Sequence, residues 1–192
     1  MVKLRIHGFS LVVTFGFLFI VCLLSVTDSS AVGFTAAAAC IIHELGHCFC
    51  AVISNIRIKG IVFWAGGIKM QAESRLVSFR SELAVLLSGP IFNILFSAIF
   101  YFAGLKEASA VNLILALFNL LPYSSLDGGC IIAVLLSGHD ISATLQKWIS
   151  TFFGIAVLAI MAATGSINPS AAATIILLTA DEFTGKSEAF HI

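Results

Sequence analysis

Six apolar stretches recur along this 192-residue chain, at positions 8–26, 31–56, 83–103, 109–136, 148–164 and 167–181. About 20 apolar residues in a helix rise about 30 Å, the thickness of a bilayer's hydrocarbon core. Inside lipid every backbone polar group needs an internal partner, so repeated stretches of this kind fold as a bundle of spanning helices. The expected class is an all-α polytopic membrane protein with about six transmembrane helices. Composition agrees, since 10% of residues are charged against about 25% in a soluble domain. The ten Lys and Arg balance the ten Asp and Glu, so no basic excess marks a nucleic-acid partner.

The N-terminal MVKLRIHG runs into GFSLVVTFGFLFIVCLLSV without an A-x-A cleavage site, and the apolar run is expected to stay as a first helix. The polar interval 57–82 is too short for a domain of its own, so residues 1–192 read as one integral membrane domain. Basic residues favour cytoplasmic loops. With the N-terminus inside, Lys3, Arg5, Arg57, Lys59, Lys69, Arg75, Arg80, Lys147 and Lys186 share one side, and Lys106 alone takes the other. That asymmetry predicts a multi-pass cell-membrane protein with both termini cytoplasmic. Cys22, Cys40, Cys48, Cys50 and Cys130 lack zinc-ribbon spacing and read as small packing residues.

Against this background CIIHELGHCFC, residues 40–50, stands out. Each ionisable residue in a spanning helix costs about 2–3 kcal/mol on insertion scales, so three together need a compensating role. His43 and His47, at i and i+4, share a helix face. Two neutral imidazoles there can hold one Zn²⁺, and Glu44 can then act as general base toward water. The plain alternative is a pair of core histidines hydrogen-bonded to neighbouring helices.

A catalytic zinc takes three protein ligands and keeps a position open. Asp127, in NLLPYSSLDGG, is the candidate third. Residue 47 lies 16 positions past residue 31, and residue 127 lies 18 past residue 109. At 1.5 Å per residue both sit about 24–27 Å along parallel segments. Pro122, Ser124, Ser125 and the Gly128-Gly129 pair predict unwound backbone, tolerated at depth where it lines a cavity. Otherwise Asp127 belongs to a structural turn near an interface. In SGPIFN, residues 88–93, Pro90 should kink its helix, and Gly89 allows close packing. Asn93 serves either as an interhelical hydrogen-bonding amide or as a donor to a developing oxyanion. Around Gly66-Gly67, GIVFWAGGIKM reads as strand–turn–strand, a small membrane-dipping β-hairpin near 60–70, or else an interfacial loop anchored by Phe63 and Trp64.

HELGH, SGPIFN and NLLPYSSLDGG in successive segments resemble the site-2 protease family of intramembrane zinc metalloproteases (peptidase M50), over a three-helix catalytic core at residues 31–136. The resemblance implies Zn²⁺ on His43, His47 and Asp127, acid–base work by Glu44, and a substrate or oxyanion role for Asn93. It also implies substrate binding by Gly66, Gly67 and Asn119, the last from the N-x-x-P…LDGG pattern. Within the family the chain is most similar to the bacterial sporulation type that processes a sigma-factor precursor. That type carries a C-terminal nucleotide-sensing CBS domain, whereas this sequence ends DEFTGKSEAFHI without one.

The implied partner is a membrane-embedded or membrane-associated protein substrate, a transcription-factor precursor among them, with room for a regulatory membrane protein. Oligomeric state leaves no mark in the residues. Two rival classes use the same side chains. A metal transporter or sensor would not need Glu44 and should show further ligand sets along a pathway. An idle scaffold would not need HELGH intact.

Overall fold

The computed structural model describes residues 2–6, 9–13, 32–56, 58–64, 67–72, 78–136, 142–165 and 168–184. They form two units, residues 1–118 and 119–191.

The first unit opens with a sheet. Strands β1 (Val2–Ile6), β2 (Phe9–Val13), β3 (Ile58–Trp64) and β4 (Gly67–Ala72) lie in the order β1-β2-β3-β4. The β1–β2 and β3–β4 pairs are antiparallel, and β2 runs parallel to β3. A side chain on Gly60 would run into Ser10, its partner across the β2–β3 pairing. The expected hairpin is therefore present as β3–β4, within a larger sheet.

The sheet corrects the expected first helix over 8–26. Residues 9–13 are strand, and residues 14–31 lie outside the described residues. Val2-Lys3-Leu4-Arg5-Ile6 alternates apolar and charged residues, the period of a strand. Phe9-Ser10-Leu11-Val12-Val13 ends in β-branched residues that suit a pleated surface.

Helix α1 (Val32–Ile53) follows. It closes on Asn55, whose φ of 56° lets the Ile56 N–H reach the Ala51 carbonyl at 2.9 Å, a left-handed helix stop. Helix α2 (Phe79–Phe102) starts on Ser78, which accepts from the Ser81 N–H, and runs unbroken through Pro90. Helix α3 (Lys106–Asn119) completes the unit up to residue 118.

The packing of these helices is inverted relative to a soluble core. Buried positions are small or polar, among them Ala39, His43, His47, Ser88, Asn93, Ser97, Ser109 and Asn112. The large apolar side chains Phe34, Leu45, Phe49, Ile91, Leu95, Ile114 and Leu117 point outward. In water such a surface would be an aggregation liability; in lipid it is the solvated face, with helices joined by small residues and polar contacts.

The second unit holds the 120–126 connection, α4 (Asp127–Leu135), α5 (Ser142–Ala163) and α6 (Pro169–Thr184). Pro169 opens α6, and Asn168 caps it by accepting from the Ser170 N–H at 3.0 Å. A proline at the first helical position is well placed, since its missing N–H would have no helical partner.

Among the described residues three helices are long and apolar enough to cross a membrane: Gly33–Ile53, Phe79–Phe102 and Thr144–Ala163. The expected fourth segment is divided between α3 and α4. Fourteen residues of α3 rise about 21 Å, short of a bilayer core.

Candidate metal centre

Within the first unit, His43 and His47 lie one turn apart on α1, 6% and 4% exposed. Their orientation comes from α2. His47 Nδ1 donates to the Val85 carbonyl oxygen at 2.7 Å, and His43 Nδ1 donates to Asn93 Oδ1 at 2.7 Å. Both acceptors lack a hydrogen, so both Nδ1 atoms carry one. Neutral imidazoles protonated at Nδ1 keep a lone pair at Nε2, and the two Nε2 atoms stand 3.1 Å apart. Two nitrogens bound to one tetrahedral zinc at about 2.0–2.1 Å are themselves about 3.3 Å apart. The two Nε2 atoms are thus spaced as two donors to one tetrahedral zinc would be.

Glycine makes room for this pair. A side chain at Gly89 would meet His47 Nε2, His47 Cε1 and His43 Cε1. A side chain at Gly46 would meet the Ser88 carbonyl oxygen at 2.6 Å and Phe92 Cγ at 2.9 Å. Gly89 therefore does more than bring the helices together, because it leaves the space that the imidazoles occupy. Glu44, next to His43, is half-buried on α1, with Cys40 and Cys48 one turn to either side. Among the described residues, Cys40, Cys48, Cys50 and Cys130 are in no disulfide.

Asn93 departs from one of its two expected roles. It is fully buried and spends its whole amide on the protein. Oδ1 accepts from His43, and Nδ2 donates to the Ala39 carbonyl at 3.0 Å and to Asn112 Oδ1 at 2.9 Å. Both hydrogens are committed, so none is left for a developing oxyanion. Ligating histidines commonly donate their second nitrogen to such a partner, and Asn93 fits that position.

In the second unit, Asp127 is the first residue of α4, with extended Leu126 as the N-cap. A carboxylate there is stabilised as an anion by the helix N-terminus. The unwound backbone expected around PYSSLDGG covers 120–126, while Gly128 and Gly129 are helical. Their requirement is steric: side chains there would strike the Leu120 and Tyr123 backbone. That connection is clamped from both neighbours. Ser150 Oγ on α5 donates to the Pro122 carbonyl, and Gln146 Nε2 donates to the Gly129 carbonyl at 2.9 Å. From α6, Glu182 Oε1 accepts from the Ser124 N–H at 2.6 Å, and Thr179 Oγ1 meets the Tyr123 hydroxyl at 3.2 Å. Glu182 is 5% exposed.

His43 and His47 in the first unit each offer one imidazole nitrogen, and Asp127 in the second offers a carboxylate oxygen. Two imidazoles and one carboxylate is a donor set of the catalytic-zinc type. Of the remaining expected site residues, Asn119 ends α3 and Gly67 opens β4 opposite Trp64. Gly66 lies outside the described residues.

Residues 33–109 match the sequence model of Peptidase family M50. No curated protein matches the chain. Among solved structures the fold is similar to the site-2 protease from Methanocaldococcus jannaschii, with a TM-score of 0.67 and 21% identity, over 100% of this chain and 95% of that one. Residues 33–109 are thus similar in sequence to Peptidase family M50, and the fold is similar to that of a site-2 protease.

Proposed function

We propose that the chain hydrolyses peptide bonds of membrane-embedded or membrane-associated proteins, with transcription-factor precursors among the candidate substrates. The observation that carries this reading is the pair of Nε2 atoms 3.1 Å apart on α1, with an acid, Glu44, next to His43 on the same helix. His43, His47 and Asp127 would hold the zinc. When bound, zinc supplies a Lewis acid that polarises a peptide carbonyl and lowers the pKa of water toward neutrality. Glu44 takes the proton from the attacking water and returns it to the leaving amine. Asn93 keeps His43 turned so that Nε2 faces the ligand position. The catalytic core covers residues 31–136 of a single peptidase domain.

A peptide must be extended before its bonds can be attacked, and an open sheet edge can take it up as a further strand. The strand order leaves β4 at an edge, and β4 packs beside α1, which carries both histidines. Substrate binding by Gly66, Gly67 and Asn119 is part of this reading, and the edge position of β4, which Gly67 opens, supports it. The inside-out packing of the first unit supports a place in lipid, and the nine-to-one split of basic residues supports a multi-pass cell-membrane protein with both termini cytoplasmic. A metal transporter is not favoured, because the described residues contain no second ligand group along a pathway.

The test is co-expression of the full chain with candidate single-pass or membrane-associated transcription-factor precursors. Cleavage by wild type and none by Glu44→Gln is the expected result. Equal cleavage by both would remove the protease reading.

A further inference from the structure

We propose that Asn112 on α3 is a positioning residue for the metal centre, setting through Asn93 which nitrogen of His43 is protonated. This rests on the reading of His43 as a zinc ligand. The chain of constraints starts at a backbone carbonyl, which can only accept. Asn112 Nδ2 donates to the Ala108 carbonyl at 2.8 Å. That bond turns Asn112 Oδ1 toward α2, where it accepts from Asn93 Nδ2 at 2.9 Å. The second hydrogen of Asn93 Nδ2 goes to the Ala39 carbonyl at 3.0 Å. A flipped Asn93 amide would place its oxygen against two acceptors, so Oδ1 has to face His43. An oxygen there accepts the Nδ1 hydrogen at 2.7 Å, and the lone pair remains on Nε2, where a metal binds.

Asn112 is 1% exposed and touches neither histidine in this relay. Its plain alternative is interhelical glue, worth about 0.6–2 kcal/mol in membranes. The same pair of helices supplies a control for that alternative. Ser97 Oγ on α2 donates to the Ser109 carbonyl at 2.8 Å and meets Ser109 Oγ at 3.1 Å, one turn from Asn112 and remote from the imidazoles. Glue alone would make the two contacts equivalent. A relay makes only Asn112 matter to His43.

The experiment uses the full chain in lipid nanodiscs, metal-free, with ¹⁵N-labelled histidine, the His43 signal being identified by its loss in His43→Gln. Ring-nitrogen shifts report the tautomer directly. Wild type and Ser97→Ala, which removes both Ser97–Ser109 contacts, should show His43 protonated at Nδ1, while Asn112→Leu should show a mixture of tautomers. Zinc titration of the same samples should show affinity about 10- to 100-fold weaker in Asn112→Leu and unchanged in Ser97→Ala. Asn112→Ala, which leaves space rather than bulk, is expected to behave as Asn112→Leu and replaces it if the larger side chain prevents folding. A wild-type tautomer and affinity in the Asn112 variant would overturn the proposal, as would an equal loss in Ser97→Ala. Neither readout uses peptide cleavage, so this proposal and the protease reading fail separately.

Discussion

The Nε2 atoms of His43 and His47 stand 3.1 Å apart, each on a ring whose Nδ1 hydrogen is already given to an acceptor on α2. Both Nδ1 atoms face acceptors on α2, and the spacing of the two Nε2 atoms suits two donors to one cation.

Gly89→Ala tests how tightly the imidazoles are seated. The added carbon would press on Cε1 and Nε2 of His47 and on Cε1 of His43. Overpacking of this kind costs about 1–3 kcal/mol, so both thermal stability and zinc affinity should fall. Gly46→Ala, which meets Ser88 and Phe92, should lower stability and spare affinity. Thermal unfolding with parallel zinc titration measures both.

Asn93→Ala separates the two roles that its sequence context allowed. With its amide committed to His43, Ala39 and Asn112, removal should leave buried groups unpaired, at about 1–3 kcal/mol, and weaken zinc binding. A residue serving only a developing oxyanion would lose turnover with its zinc affinity intact. Metal titration beside a cleavage assay distinguishes these results.

Glu182→Ala removes the carboxylate that accepts from the Ser124 N–H in the connection leading to Asp127. Losing the acceptor of that half-buried N–H should cost about 1 kcal/mol and loosen the start of α4. Glu182→Gln keeps an acceptor oxygen and should lose less. Thermal melting of the two variants orders them.

Much of the site was legible in the sequence, because its chemistry is expensive in lipid. HELGH declares itself by three ionisable residues in an apolar run, and Pro122 with its neighbouring serines marks the break between α3 and α4. The N-terminal strands were hidden because the long apolar run at 8–26 outweighed the short alternation in Val2–Ile6. Asn112 is one polar residue among many in its segment, and its meaning depends on Asn93 lying across from it. Glu182 sits near the end of a short helix, where a carboxylate ordinarily faces water, and its burial depends on how α6 meets the loop at Ser124. Gly89 was readable as a close-packing residue, but the two rings that require it belong to another helix.

The central claim is that His43, His47 and Asp127 hold one zinc, with Glu44 acting as base. Zinc-edge X-ray absorption of the purified chain, with metal content measured on the same samples, tests it most directly. The account predicts one zinc per chain with imidazole nitrogens and carboxylate or water oxygens at about 2.0–2.2 Å, unchanged in Glu44→Gln and depleted in His47→Ala and Asp127→Ala. A wild-type chain that takes up no zinc, or an Asp127→Ala variant with the wild-type spectrum and content, would contradict it.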